Sequence, residues 1–237
     1  QEVRASLPRG FYRELPELAK GPLAGYPRIY EIAITLISHS EARIDLDNVD
    51  RFVESFQEIE PLRIGELWAM PAMLRLALIE SIRRMSLRTM KRLDEIESAD
   101  HWVNRVMQHT ERNGSRLVRT LSEMLQSPER LTPTFVTMFL ANLRLASGAS
   151  PALAHVEDWL RHEGLHPDEA SARATHRMVH TQLTMANSIT SLRTVGRRDW
   201  RGFVERQSAM DAVLREDPAS AYARMTFASR DRYRHVV

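Results

Sequence analysis

Residues 61–84, PLRIGELWAMPAMLRLALIESIRR, decide the fold. Between Met73 and Ile82 the apolar side chains are Met73, Leu74, Leu76, Ala77, Leu78, Ile79 and Ile82, with Arg75 and Glu80 as the charged interruptions. No face of a helix built from these residues is left polar enough for bulk water, so other helices are expected to enclose it. Pro71 predicts a kink or a restart, after which the central helix runs on to about Glu97 as its composition turns amphipathic and basic.

The same grammar extends in both directions. Upstream, LPELAKGPLAGYPRIY at 15–30 reads as an ordered loop in which Leu15, Leu18, Leu23, Tyr26 and Tyr30 bury, and Pro27 suits the first turn of a helix over about Pro27–Ser38. A second helix over about Asn48–Glu60 has Asp47 or Asn48 as its cap and Val49, Phe52, Val53, Phe56 and Ile59 as its inner face. Downstream, helices are expected at about Ala99–Thr110, Gly114–Gln126, Pro133–Ala146, Pro151–Glu163 and Pro167–Val195. Prolines stand near their starts and Gly148, Gly164 and Gly196 near their ends. Asp199 caps a helix whose face is Trp200, Phe203, Val204, Met210, Val213 and Leu214, Asp217-Pro218 closes it, and Thr226 starts the last one. No period-two pattern suggests a strand. The expectation is an all-α fold, an irregular bundle of about ten helices around a buried central helix, forming a single helical domain over 1–237 with a possible subdivision near 98–170.

Composition narrows the function classes. The chain has 237 residues and 43% hydrophobic side chains, enough for a substantial core. Its 33 basic and 31 acidic residues leave a formal charge of +2, which argues against a dedicated nucleic-acid binder. Lysine occurs at Lys20 and Lys91 alone, so arginine carries nearly all the positive charge. With no cysteine, disulfides, thiol nucleophiles and thiolate metal sites are excluded. The longest run free of Asp, Glu, Lys, Arg and His, Leu131–Leu143, falls well short of the roughly 18 to 20 apolar residues that cross a bilayer. The segment QEVRASLPRG lacks a signal-peptide core, and RDRYRHVV has no helix stop, so both ends read as cuts in a longer polypeptide.

Several clusters could carry chemistry, and each has a plainer reading. His176 and His180, four apart on a helix, have the spacing of metal ligands, but Arg177 stands where a hydrolytic zinc motif needs Glu, so surface histidines are the better reading. His162 and His166 share the spacing, but Gly164 and Pro167 interrupt the helix. Arg83, Arg84, Arg88, Lys91 and Arg92 form a basic stripe able to meet anionic lipid head groups or a phosphate, or else a solvated face paired with Asp94, Glu95 and Glu97. Arg75 and Glu80, charged within an enclosed helix, need partners. Asn187-Ser188-Ile189-Thr190-Ser191 could hydrogen-bond a sugar, although close helix packing is favoured. Tyr26, Arg28, Glu66 and Trp68 would make a sugar-facing set of ring, donors and acid if they converge. No nucleophile elbow, P-loop or dinucleotide fingerprint is present. No catalytic constellation and no metal site emerges from the residues. A lipid-surface module using the Arg83–Arg92 stripe is the alternative from another class, with a hydrolase centred on His176 and His180 behind it.

Three blocks together resemble the N-terminal region of bacterial cyclic β-1,2-glucan synthases: LPELAKGPLAGYPRIYEIA at 15–33, PLRIGELWAMPAMLRLALIESIRR at 61–84 and NSITSLRTVGRRDWRGFVERQSAMDAVLREDPASAYARMTFASRDRYRHVV at 187–237. The similarity is weakest at about 98–170. The resemblance implies a non-catalytic helical segment of a large inner-membrane glucosyltransferase that uses UDP-glucose. It would lie on the cytoplasmic side, its partners the rest of the synthase chain and the growing glucan. Because such glucans grow on a protein-attached primer, Tyr12, Tyr26, Tyr30, Tyr222 and Tyr233 are candidate acceptors of a first glucose, with packing the plainer role of each.

Overall fold

The computed structural model describes residues 10–110, 114–126, 131–147 and 151–234. Among the described residues there are eleven α-helices and no strand or sheet. The helices are α1 (Arg28–His39), α2 (Leu46–Gln57), α3 (Ile64–Thr110), α4 (Gly114–Gln126), α5 (Pro133–Ser147), α6 (Pro151–His162), α7 (Pro167–Arg197), α8 (Arg201–Gln207), α9 (Ala209–Arg215), α10 (Ala221–Arg224) and α11 (Phe227–Arg234). A single 3-10 turn, Phe11–Glu14, precedes them. No described helix is long and apolar enough to cross a membrane.

The central segment is one continuous helix of 47 residues with Pro71 inside it. Pro71 does not restart the helix, and the end expected at about Glu97 is absent: the helix expected at Ala99–Thr110 is its continuation. The proline removes one backbone donor near the start of a helix whose flanking residues, Ala69, Met70, Ala72 and Met73, are all buried, so packing holds the turn that propensity would loosen. Enclosure is less complete than the sequence suggests: Leu67, Leu74 and Leu78 are fully buried, whereas Ile79 is 46% exposed.

Backbone proximity divides the chain into two units, Gln1–Arg83 with Thr184–Val237, and Arg84–Leu183. In the first, Ile29, Ile32, Leu36 and Ile37 of α1 and Val49 and Val53 of α2 pack with the first turns of α3 and with Trp200, Phe203 and Val204. In the second, Trp102, Val103 and Val106 of α3 pack with Phe135, Phe139 and Leu143 of α5 and with Val156 and Leu160 of α6. The rings of Phe135 and Phe139 stack at 5.8 Å.

Helix ends show where sequence punctuation misplaces a boundary. The cap of α2 is Asp45, whose side chain accepts from the Asp47 N–H at 3.0 Å, in place of Asp47 or Asn48. The helix accordingly ends at Gln57, and Ile59, expected on the inner face, lies in the following turn and is 90% exposed. Asp199 accepts a hydrogen bond from the Arg201 N–H at 3.1 Å, but the cap position of that helix is Trp200, one residue later than expected. Ser208 then breaks the expected long helix into α8 and α9, its hydroxyl accepting from Asp211 N–H at 3.2 Å, and the new register leaves Val213 66% exposed.

Candidate functional site

Arg28 and Glu66 do converge. Arg28 stands in the first turn of α1 and Glu66 in the first turn of α3, and the guanidinium grips the carboxylate with two parallel bonds, Nε to Oε1 and Nη2 to Oε2, both 2.7 Å. Glu66 is fully buried and also accepts the Arg63 backbone N–H at 2.9 Å, the reach-back of a third-position glutamate to the start of its own helix. Arg28 extends further, to the Pro61 carbonyl at 3.0 Å and to the Glu60 carboxylate. The hydrogen bonds to Glu66 hold the Arg28 pKa above its ordinary value. The cluster thereby ties the starts of α1 and α3 to the turn between α2 and α3. Sequence carried half of this signal, since a glutamate three residues into a helix is a capping residue; its arginine partner lies 38 positions away.

Tyr26 and Trp68 go elsewhere. Tyr26, expected to bury, is 53% exposed and stacks on Tyr30 with ring centroids 5.8 Å apart. The loop before it is ordered as expected, Leu18 N–H donating to Tyr26 O and Arg28 N–H to Pro16 O, both at 2.9 Å. Trp68 meets Phe227 of α11 edge-on at 6.1 Å.

The serine-rich stretch of α7 packs. Ser188 Oγ lies 3.2 Å from Ser81 Oγ and donates to Thr184 O at 2.7 Å. Ser191 Oγ donates to Ala42 O and accepts from Ile44 N–H, each at 2.7 Å, while Asn187 Nδ2 donates to Glu41 O at 3.1 Å. Glu41 and Ala42 have positive φ values of 50° and 61°, a strained left-handed pair that the α7 side chains hold in place.

The remaining candidates are exposed or half-buried. Glu80 forms a bidentate pair with Arg83 at 2.7 and 2.8 Å, and Arg83 retains 60% of its side-chain exposure. Arg75 is half-buried, Arg84, Arg88 and Lys91 are exposed, and Arg92 is half-buried. His176 and His180 are exposed, and the described residues hold no group of three or more His, Cys, Asp or Glu side chains placed to hold a metal.

Sequence reasoning missed a second, tighter charged cluster at the end of the first unit. Asp211 on α9 is fully buried and accepts from Tyr222 Oη at 2.5 Å, Arg215 Nε at 2.8 Å and Arg234 Nη1 at 3.2 Å. Beside it, Arg230 makes a two-pronged contact with Glu205 at 2.8 and 3.0 Å. The Arg234 guanidinium also lies over the Phe227 ring at 5.3 Å. Burial and the bond to Asp211 push the Tyr222 hydroxyl up to about 12. The alternating RDRYR of α11 was the available signal, but nothing in it names Asp211 as the partner. Tyr222 is thus 3% exposed with an occupied hydroxyl, whereas Tyr233 is 45% exposed.

No family model matches the chain. Against individual proteins, it is 34% identical over 238 aligned positions to Cyclic beta-(1,2)-glucan synthase NdvB of Rhizobium meliloti (strain 1021), an alignment that takes in 100% of this chain. The chain spans only 8% of the length of that relative. The likeness carried by three sequence blocks therefore runs through the whole chain, weakest stretch included, and this chain is similar to one segment of a glucan synthase.

Proposed function

We propose that this chain is a non-catalytic helical segment of a cyclic β-1,2-glucan synthase, scaffolding the domain that transfers glucose from UDP-glucose. The observation that carries the reading is the full-length 34% identity to a glucan synthase many times longer than the chain. The buried carboxylates are consistent with it: Glu66 and Asp211 spend their acceptor capacity on internal donors and so lock helix ends together. In this reading the segment works at the cytoplasmic face of a bacterial inner membrane, against the rest of its synthase. Contact with the growing glucan falls to Tyr26, whose half-exposed ring on Tyr30 is a surface on which a glucose face can stack.

Two experiments test this. The isolated chain is titrated calorimetrically with UDP-glucose and with linear β-1,2-glucooligosaccharides, alongside an assay for glucose transfer. No transfer is expected, with weak oligosaccharide binding that Tyr26→Ala removes. A synthase lacking the matching segment is expected to lose polymerisation and to regain part of it when this chain is supplied separately. Glucose transfer by the chain alone, or full polymerisation without the segment, would overturn the scaffold reading.

A further inference from the structure

The near-neutral total conceals a segregated charge pattern. From Ser81 to Leu93 the chain has no Asp or Glu, yet it carries Arg83, Arg84, Arg88, Lys91 and Arg92. From Ala170 to Arg198, a second stretch without an acidic residue includes Arg173, Arg177, His176 and His180. Within the second unit, no residue of 86–98 on α3 or of 171–183 on α7 is buried.

Apolar side chains stand open among these cations. Leu87, Met90 and Leu93 are 50%, 61% and 59% exposed, and Val179 and Leu183 are 52% and 47% exposed. Arg83, Leu87 and Met90 with Lys91 fall on successive turns of one side of α3, as Arg173, His176, His180 and Leu183 do on α7. The acidic neighbours lie at the margins: Glu80 is engaged by Arg83 and Glu169 by Arg173, and Asp94, Glu95 and Glu97 follow the α3 stretch.

We propose that these two helix stretches dock the second unit on an anionic lipid bilayer surface, with Leu87, Met90 and Leu93 entering the head-group layer and Arg88 and Lys91 meeting lipid phosphates. Charge complementarity selects this occupant. A second copy would set cation against cation. Nucleic acid would leave five open apolar side chains without a partner. A protein partner is expected to find an aromatic or aliphatic anchor set in a desolvated pocket, whereas these side chains are dispersed among arginines and a lysine on outward helix faces. A bilayer surface suits that dispersion, because leucine and methionine enter at the head-group boundary while long basic side chains lay their stems along it and reach phosphate. The proposal rests on this surface alone and stands or falls independently of the glucan reading.

The test is co-sedimentation of the purified chain with vesicles of phosphatidylcholine mixed with phosphatidylglycerol, against vesicles of phosphatidylcholine alone. Binding is expected to the mixed vesicles and to fall as salt is raised. Arg88→Gln with Lys91→Gln should weaken it roughly 25-fold, at about fivefold for each cation. Leu87→Gln with Met90→Gln should also weaken it, and Arg13→Gln with Arg43→Gln, two exposed cations elsewhere, should not. An unchanged thermal transition checks that each variant folds. Equal binding to the two vesicle types, or patch variants that bind like the native chain, would overturn the proposal. So would retention on immobilised polyglutamate without vesicle binding, which would assign the patch to an acidic protein.

Discussion

The Arg28–Glu66 pair shows why a convergent acid and donor need not be a binding site. The Glu66 side chain is fully buried and that of Arg28 only 14% exposed, so neither charge can be left without the other. Arg28→Met should therefore cost about 3 kcal/mol in urea unfolding, by stranding a buried carboxylate. Glu66→Gln, which still accepts the Arg63 N–H, should cost less, and Arg28→Met with Glu66→Leu less than the two charge-stranding changes summed. Additive losses in that double mutant would contradict the pairing. Tyr222 offers a second residue-scale reading. Burial first, and the bond to Asp211 after it, push its hydroxyl up to about 12 in the folded chain against an ordinary value of 10, so the stability linked to the neutral hydroxyl is whole below pH 10 and lost as pH rises toward 12. Alkaline titration followed by tyrosine absorbance should show a group titrating near 12 in addition to Tyr12, whose hydroxyl burial also raises, and Tyr222→Phe should remove that group together with its part of the alkaline loss.

At the scale of elements, α7 holds the α1–α2 turn through the Ser191 hydroxyl and the Asn187 amide. Ser191→Ala would leave a buried N–H at Ile44 and a buried carbonyl at Ala42 unpaired, an expected loss of about 1–3 kcal/mol. Thr190→Ala, at the exposed neighbouring position, should change stability by only about 0.5 kcal/mol. Similar losses for both would mean that helix propensity, and not the clamp, is at stake. Asp217 caps α10 by accepting the N–H groups of Ala219 at 3.0 Å and Ala221 at 2.8 Å, and these bonds hold its carboxyl below the usual range. A lowered folded pKa stabilises above the ordinary carboxylate pKa and is lost on acidification through the folded value, so Asp217→Ala should flatten the acid limb of a thermal-stability profile. Helix existence was legible because 3.6-residue periodicity and proline-glycine punctuation are local signals. The αL turn at Glu41-Ala42 was not, because neither residue type favours positive φ and the groups that enforce it come from α7. Asp45 was missed as a cap for a smaller reason: three capping-competent residues lie within 45–48, and only backbone geometry chooses among them.

Across the whole molecule, the two apolar clusters share no residue, and each owns two tryptophans: Trp68 and Trp200 in the first, Trp102 and Trp159 in the second. The sequence offered one central helix as the organiser of a single bundle with a possible subdivision near 98–170, since an apolar run does not say how far one core extends along it. On α3 the buried positions lapse after Met85 and resume at Ala99, and the cluster they rejoin is a different one. Separate clusters should respond separately to cavities. Phe139 and Phe203 are both essentially buried, at 0% and 1% exposure, so truncating either to Ala should cost about 3–5 kcal/mol in its own cluster. With Trp68 and Trp200 replaced by Phe, emission reports the second cluster, and Phe139→Ala should move its denaturant midpoint while Phe203→Ala leaves it nearly in place. The reciprocal background, with Trp102 and Trp159 replaced, should reverse the ranking. If both cavities shifted both reporters equally, the continuous helices α3 and α7 would be transmitting the loss along their length, and the two clusters would be one cooperative unit.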